Sequence, residues 1–195
     1  MKKSLLFPDL ETSPCLTGSD NCSCFEMIWQ TGHLIDRKQF NLNNLEFICE
    51  TLPSDKLSDF AVTDLGAPIV SDRVKKVLDD HLVDNIEYFP ARIITRAGAT
   101  PINNYFVMNI LGLLDCIDFE SSDLEVEEED GEVVDIDSVN ELILKDKSYG
   151  SIYRMYFFER VIVLEEPLRQ ALSSANITGM KIVSPEMWDG FAGEK

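Results

Sequence analysis

The sequence has little positive charge and almost no histidine. It contains 17 Lys and Arg residues against 35 Asp and Glu residues, which gives a formal net charge of −18, and it has two histidines. Proteins bind nucleic acids and anionic lipid surfaces largely through Lys and Arg. We therefore expect neither a nucleic acid nor a membrane as a partner, whereas a basic protein would be attracted rapidly. The alternative is that the charge only maintains solubility.

Long apolar runs are also missing. Near the start of the chain, Lys2 and Lys3 precede a short apolar stretch that Pro8 ends, whereas a secretory signal needs roughly 7–15 apolar residues. No run reaches the roughly 18 residues that are needed to cross a bilayer. We therefore expect a cytoplasmic protein whose five cysteines are reduced thiols.

The cysteines divide into two groups. Cys49 and Cys116 lie in apolar stretches and are interpreted as small core residues. A zinc site is the alternative use of four residues in the first part of the chain: Cys15, Cys22, Cys24 and His33. Their spacing differs from the paired two-residue gaps that structural zinc sites favour, so we interpret them as loop residues and expect no cofactor.

The apolar periodicity predicts an α+β fold, mainly an antiparallel β-sheet with two short amphipathic helices. The first helix is predicted to begin at Ser71, which would cap it, and the second at Pro167. Strands or alternating segments are predicted at 25–30, 45–52, 60–63, 86–95, 105–117, 133–144, 152–158, 161–164 and 180–183, with a turn at Glu159-Arg160.

The chain is divided at residue 60 in this interpretation. Residues 1–60 are predicted to form a β-rich N-terminal segment or subdomain, whose first 24 residues are irregular, and residues 61–195 an α+β domain. Pro90 within 86–95 predicts an edge or a bulge. For 105–117, the broken apolar pattern favours a buried, bulged strand over a helix.

Negative charge is concentrated in one segment. Residues 115–137 contain twelve carboxylates and neither Lys nor Arg: Asp115, Asp118, Glu120, Asp123, Glu125, Glu127, Glu128, Glu129, Asp130, Glu132, Asp135 and Asp137. Self-repulsion predicts that 127–131 is an exposed hairpin tip or a disordered loop. We expect Glu127, Glu128, Glu129 and Asp130 to attract a basic partner.

The sequence contains no recognisable catalytic site. It has no Gly-x-Ser-x-Gly motif, no phosphate-binding glycine loop and no dinucleotide fingerprint. A metal-dependent enzyme that uses Asp115, Asp118 and Glu120 is the alternative function, because Mg²⁺ and Ca²⁺ prefer oxygen ligands. The spacing fits no calcium loop, so we favour a turn whose carboxylates accept backbone hydrogen bonds and predict neither catalytic nor metal-binding residues.

Three further residues have predicted roles. Arg154 lies in an apolar strand, and an unpaired buried charge is costly, so we predict a structural ion pair with Asp115 or Asp118. Asn109, which interrupts the most apolar stretch, is also assigned a structural role. Trp188 has two interpretations: docking onto the core, which we favour, and partner binding, because tryptophan is enriched at binding hot spots.

Several segments together resemble one bacterial family. They are IVSDRVKKVL at 69–78, IEYFPAR at 86–92, YFVMNIL at 105–111 followed by DCID at 115–118, SIYR at 151–154 and ITGM at 177–180. They look like the predicted immunity proteins of polymorphic toxin systems known as immunity family eleven. The resemblance spans about residues 60–185. It implies a cytoplasmic protein that binds and neutralises a cognate secreted toxin, and it brings no catalytic residues. A non-catalytic adaptor or scaffold is the remaining alternative.

Overall fold

The structure is a computed structural model that describes residues 2–13, 15–19, 26–40, 42–43, 45–49, 57–95 and 100–191. The strands of these residues are β1 (Lys3–Pro8), β2 (Cys15–Gly18), β3 (Leu45–Ile48), β4 (Phe60–Thr63), β5 (Pro68–Ser71), β6 (Ile86–Ile94), β7 (Ile102–Ile110), β8 (Leu113–Leu114), β9 (Asp123–Glu129), β10 (Glu132–Glu141), β11 (Ile152–Met155), β12 (Phe158–Glu165) and β13 (Met180–Val183). The helices are α1 (Asp72–Asp80) and α2 (Leu168–Ser174), with 3-10 turns at Glu26–Trp29 and Pro185–Met187. The predicted α+β fold with mainly antiparallel sheets and two short helices is confirmed.

Six strands close into a barrel in the order β2-β3-β6-β7-β5-β4. The β2–β4 and β3–β6 pairs are parallel and the other four are antiparallel. Large apolar side chains fill the interior, where the Trp29 ring meets the edge of Phe89 at a centroid distance of 5.5 Å. Pro90 lies one residue before the segment of β6 that pairs with β3, so among the described residues it is unpaired on that side, although β6 is not an edge strand of the closed barrel.

A second sheet has five strands in the order β13-β1-β12-β11-β8. The first strand of the chain, β1, lies between β12 and β13 and pairs with both in antiparallel register. The prediction of an irregular lead-in over the first 24 residues is therefore wrong. Because β1 is almost fully buried along its length, it lacks the alternation of polar and apolar residues by which a half-exposed strand is recognised.

The two helices cover one side of a core between the barrel and the five-stranded sheet. Val74 and Leu78 of α1 and Leu172 of α2 are buried there with Ile162 of the sheet. The helix α1 begins where it was predicted, but Ser71 does not cap it through its side chain. The Ser71 hydroxyl donates instead to Asp59 Oδ1 at 2.8 Å.

Two strand predictions need correction. Within the predicted strand at 25–30, Glu26–Trp29 forms a 3-10 turn. A short apolar run in a sequence does not distinguish a strand from such a turn. The predicted turn at Glu159-Arg160 lies within β12, and the chain turns instead at Tyr156-Phe157, where Phe157 has a φ of 73°. The segment 105–117 is extended rather than helical, as predicted, but it forms two strands instead of one, β7 in the barrel and β8 in the five-stranded sheet. Residues 50–52 of the predicted strand at 45–52 lie outside the described residues.

The five-stranded sheet and the barrel each combine strands that precede residue 60 in the sequence with strands that follow it. In the five-stranded sheet β1 pairs with β12 and β13, and in the barrel β3 pairs with β6. The proposed domain division at residue 60 stays a prediction. In the described part of the chain, neither helix has the length and apolar character that a membrane span requires.

Candidate partner-binding surface

The acidic segment folds into a separate two-stranded sheet of β9 and β10, which we call the acidic hairpin. Its strands are joined by Asp130 and Gly131, which have φ values of 53° and 83°. Two consecutive residues with positive φ are typical of the tight turn that matches the twist of a hairpin, and Asp-Gly is a preferred sequence for it. The predicted exposed hairpin tip at 127–131 is confirmed.

The two faces of the acidic hairpin differ. Leu124, Ile136 and Val139 pack against the apolar cluster that covers the outer face of the five-stranded sheet. Ten carboxylates along the hairpin are exposed: Asp123, Glu125, Glu127, Glu128, Glu129, Asp130, Glu132, Asp135, Asp137 and Glu141. The apolar side thus fastens the hairpin to the core, and the carboxylates face solvent.

Like charges lie opposite one another across this hairpin. The register pairs Glu127 with Asp135, Glu129 with Glu132, and Asp123 with Glu141. Like charges in directly opposite positions destabilise an antiparallel pair. Among the described residues, no Lys or Arg forms an ion pair with a carboxylate of β9 or β10. The repulsion is therefore not offset by a cation within the described chain.

Glu141 is a member of the acidic hairpin that the sequence prediction missed. It lies four residues beyond the acidic segment, and the register places it opposite Asp123. The alternation predicted over 133–144 was the signal that could have assigned it, because that segment includes residue 141 and continues the second strand of the hairpin.

Two of the three carboxylates of the alternative metal site, Asp115 and Asp118, have other partners, and no partner is seen for Glu120 among the described residues. Asp115 accepts a hydrogen bond from Lys145 Nζ at 2.7 Å, and this bond raises the pKa of Lys145. Asp118 accepts one from the Ser121 amide at 3.3 Å, as expected for a turn. In the part of the chain that the structure describes, no group of three or more His, Cys, Asp or Glu residues is arranged to hold a metal ion. Cys22 and Cys24 lie outside the described residues.

Arg154 has a different environment from the one predicted. Its side chain is buried, with 1% of the residue exposed, and the predicted ion pair with Asp115 or Asp118 is wrong. Nη1 of Arg154 donates to the carbonyl oxygen of Glu159 at 2.7 Å. Nε and Nη2 are buried and have no hydrogen-bond partner among the described residues. Because burial disfavours the charged form, it lowers the pKa of Arg154 to about 10.

The chain matches a known protein family over most of its length. The model of an immunity protein family, Imm11, matches residues 36–184. The chain belongs to this family. The resemblance seen in the sequence is confirmed, and the match begins earlier than expected, so that it includes β3. A search of curated proteins finds no match.

Asn109 of this immunity protein joins β7 to a neighbouring loop. Its Nδ2 donates to the carbonyl oxygen of His33 at 2.9 Å and to Glu87 Oε2 at 3.1 Å. The same Glu87 oxygen accepts a hydrogen bond from the Ile35 amide at 3.0 Å. Asn109 is fully buried, so these contacts are consistent with the structural role proposed for it.

Trp188 of the immunity protein is part of the core, not of the exposed surface. Its ring stacks on Phe7 at 6.1 Å and meets Phe158 edge-on at 4.9 Å, and Nε1 donates to the carbonyl oxygen of Phe191. Only 1% of the residue is exposed. A partner cannot touch this side chain without unpacking the core, so we remove Trp188 from the partner-binding residues and retain the docking interpretation.

Proposed function

We propose that this immunity protein binds a cognate toxin in the cytoplasm and neutralises it by covering the toxin's substrate cleft, without catalysis. The acidic hairpin carries this proposal. Its opposed pairs, Glu127 with Asp135 and Glu129 with Glu132, place like charges together in a strand pair. Such an arrangement costs folding free energy, and a basic partner surface would relieve the repulsion on binding.

The anchoring of the hairpin supports its use as a binding element. Leu124, Ile136 and Val139 attach it to the core, so its strands are held in place before the toxin arrives. A preformed element loses less conformational entropy on binding than a disordered loop. The tip, from Glu127 to Asp130, would enter a basic cleft and occupy the positions of substrate phosphates, if the toxin acts on a nucleic acid or a nucleotide.

The test measures association with the toxin that is encoded beside this protein. The variant E127Q/E128Q/E129Q/D130N removes four tip charges and should slow association several-fold at low salt, with a smaller effect on dissociation. Stopped-flow fluorescence across a salt series should show the difference fading above about 0.15 M salt, where the screening length is about 8 Å. A melting temperature of the variant that is no lower than that of the wild type would exclude a folding defect.

A matched control distinguishes the effect of the hairpin's charges on association from the effect of the net charge of the whole protein. The variant D72N/D79N/D80N/D84N also removes four exposed charges, all in or just after α1. We expect this control to associate at close to the wild-type rate. If the control slows association as much as the tip variant, or if neither variant slows it, the acidic hairpin is not the site that attracts the toxin.

A further inference from the structure

A cavity of about 700 Å³ lies beside the turn between β11 and β12. The barrel contributes Phe60 and Val62 to its wall, and the turn contributes Phe157 and Phe158. Trp188 forms another part of the cavity wall. The volume is in the range of about 300–1,000 Å³ that is usual for small-molecule sites, and such sites combine apolar walls with a few polar groups. The cavity is separate from the acidic hairpin, so the inference does not depend on the proposed function.

The polar group of interest in this wall is Arg154. One of its three nitrogens, Nη1, is satisfied by the carbonyl oxygen of Glu159. The other two, Nε and Nη2, are buried without a partner among the described residues. These two nitrogens are on the same side of a guanidinium group, where their parallel N–H bonds match the two oxygens of a carboxylate.

A purely structural arginine does not explain this arrangement. A buried charge is normally held by a carboxylate, because an unpaired one is costly. None of the ion pairs among the described residues includes Arg154, and Asp115, one of its two predicted partners, is paired with Lys145. The unsatisfied side of Arg154 therefore lacks an anionic partner within the described chain, and neighbouring atoms cover it.

We propose that the cavity binds a small monocarboxylate with an apolar body, whose two oxygens accept hydrogen bonds from Nε and Nη2 of Arg154. The aromatic side chains of Phe157 and Phe158 in this wall contact the apolar body. The other charged residues of the wall, Arg160, Asp64 and Glu159, are all exposed and sum to one negative charge. A single buried cation in a chain of net charge −18 favours a monoanion over a phosphate dianion.

Entry of the ligand requires a small movement of the wall, because Nε and Nη2 are covered by neighbouring atoms. The turn at Tyr156-Phe157 is the part best suited to move. Phe157 has a φ of 73°, which is unfavourable for a residue with a bulky side chain, and Tyr156 is exposed. Strained backbone of this kind is found at ligand-binding sites more often than elsewhere.

The test uses 3-phenylpropionate as the probe and isothermal titration calorimetry with the full chain. We expect one site per chain and an affinity roughly tenfold or more above that for 3-phenylpropan-1-ol, because a hydrogen bond to a charged group contributes about 1.5–3 kcal/mol. This comparison needs no variant. Equal binding of acid and alcohol, tighter binding of 3-phenylpropylphosphonate, or no binding of the acid would each overturn the proposal.

Two variants assign the site to Arg154. R154M removes the charge while keeping a long apolar side chain, and should weaken 3-phenylpropionate roughly tenfold or more. R160M changes the exposed arginine of the same wall and should leave the affinity within about twofold. If R154M is folded by near-ultraviolet circular dichroism and binds as the wild type does, the carboxylate site is elsewhere. If R154M does not fold, R154K, which keeps the charge but loses the planar pair of donors, takes its place with the same expected loss.

Discussion

Glu127 lies directly opposite Asp135 in the acidic hairpin, and no described cation pairs with either carboxylate. Selection for stability alone would favour an opposite charge or an uncharged residue at one of these positions, because opposed like charges destabilise a strand pair. Two further like-charge pairs, Glu129 with Glu132 and Asp123 with Glu141, repeat the arrangement along the same hairpin. We infer that the charges of the hairpin serve the binding of a partner rather than the stability of the hairpin itself.

The first prediction follows from this opposition. Replacing Glu127 by Lys turns a repulsive cross-strand pair into an attractive one, and should raise the free energy of unfolding by about 0.2–1 kcal/mol at low salt. Urea unfolding at low and at high salt would measure the effect, which should shrink as salt screens the charges. The control is Glu125→Lys, whose opposite residue is Ser138.

The difference between the two variants isolates the cross-strand interaction. Both substitutions add the same charge to the same strand, but only Glu127 faces a carboxylate directly. An equal rise in the free energy of unfolding in both variants would mean that the total negative charge of the hairpin, and not the opposition of Glu127 and Asp135, determines its stability.

The hairpin was predictable from the sequence. For Arg154, the burial was predictable but the hydrogen-bond partner was not. Twelve carboxylates without a cation, with Asp130-Gly131 among them, indicate an exposed turn by charge and by turn chemistry alone. For Arg154, apolar neighbours indicated burial correctly. Its partner depends on which segments meet in space, and the carbonyl oxygen of Glu159 took the place of the expected carboxylate.

The central strand β1 was not predicted from the sequence, for a physical reason. The strand β1 is covered on both faces and paired on both edges, so its residues carry neither alternation nor edge signals. In contrast, α1 and β13 have clear local signals, namely an apolar stripe at Val74 and Leu78 and a stop at Gly179 before Met180. Local sequence patterns were therefore enough to locate α1 and β13, whereas the position of β1 depends on its pairing with strands that are distant in the sequence.

A buried carboxylate that no sequence pattern indicated leads to the second prediction. Asp59 accepts hydrogen bonds from Ser71 Oγ at 2.8 Å, from Arg73 Nη1 at 2.7 Å and from both the amide and the hydroxyl of Thr178, at 3.1 and 2.9 Å. It thus joins the start of α1 to the loop before β13. Asp59→Ala should lower the free energy of unfolding by about 1–3 kcal/mol, because it leaves the buried Ser71 hydroxyl without its acceptor and removes the ion pair with the exposed Arg73.

Chemical denaturation of matched variants would check this value. Asp79→Ala is the control, since Asp79 is an exposed carboxylate of the same helix that pairs with Lys75, and its loss should cost only about 0–1 kcal/mol. A loss of less than 1 kcal/mol in Asp59→Ala would show that the four contacts contribute no more than a surface ion pair does.

The last prediction concerns two aromatic residues near the end of the described chain. Trp188 is buried against Phe7 and Phe158, whereas the side chain of Phe191 is exposed, with 82% of the residue accessible. Trp188→Ala should therefore lower the free energy of unfolding by about 3–5 kcal/mol, as expected for an aromatic side chain removed from a core. Phe191→Ala should change it by about 0.5 kcal/mol or less, because the hydrogen bond from Trp188 uses the backbone carbonyl oxygen of residue 191, which the substitution retains.

The same pair of variants tests how the acidic hairpin is anchored. Val139 of β10 belongs to the apolar cluster that contains Trp188, so removing the indole should loosen the hairpin as well as the terminus. Native-state hydrogen exchange should then show faster exchange of β9 and β10 amides in Trp188→Ala than in Phe191→Ala. If the hairpin amides exchange equally in both variants while global stability falls, the hairpin is held by its other apolar contacts, Leu124 and Ile136, and Trp188 stabilises the five-stranded sheet alone.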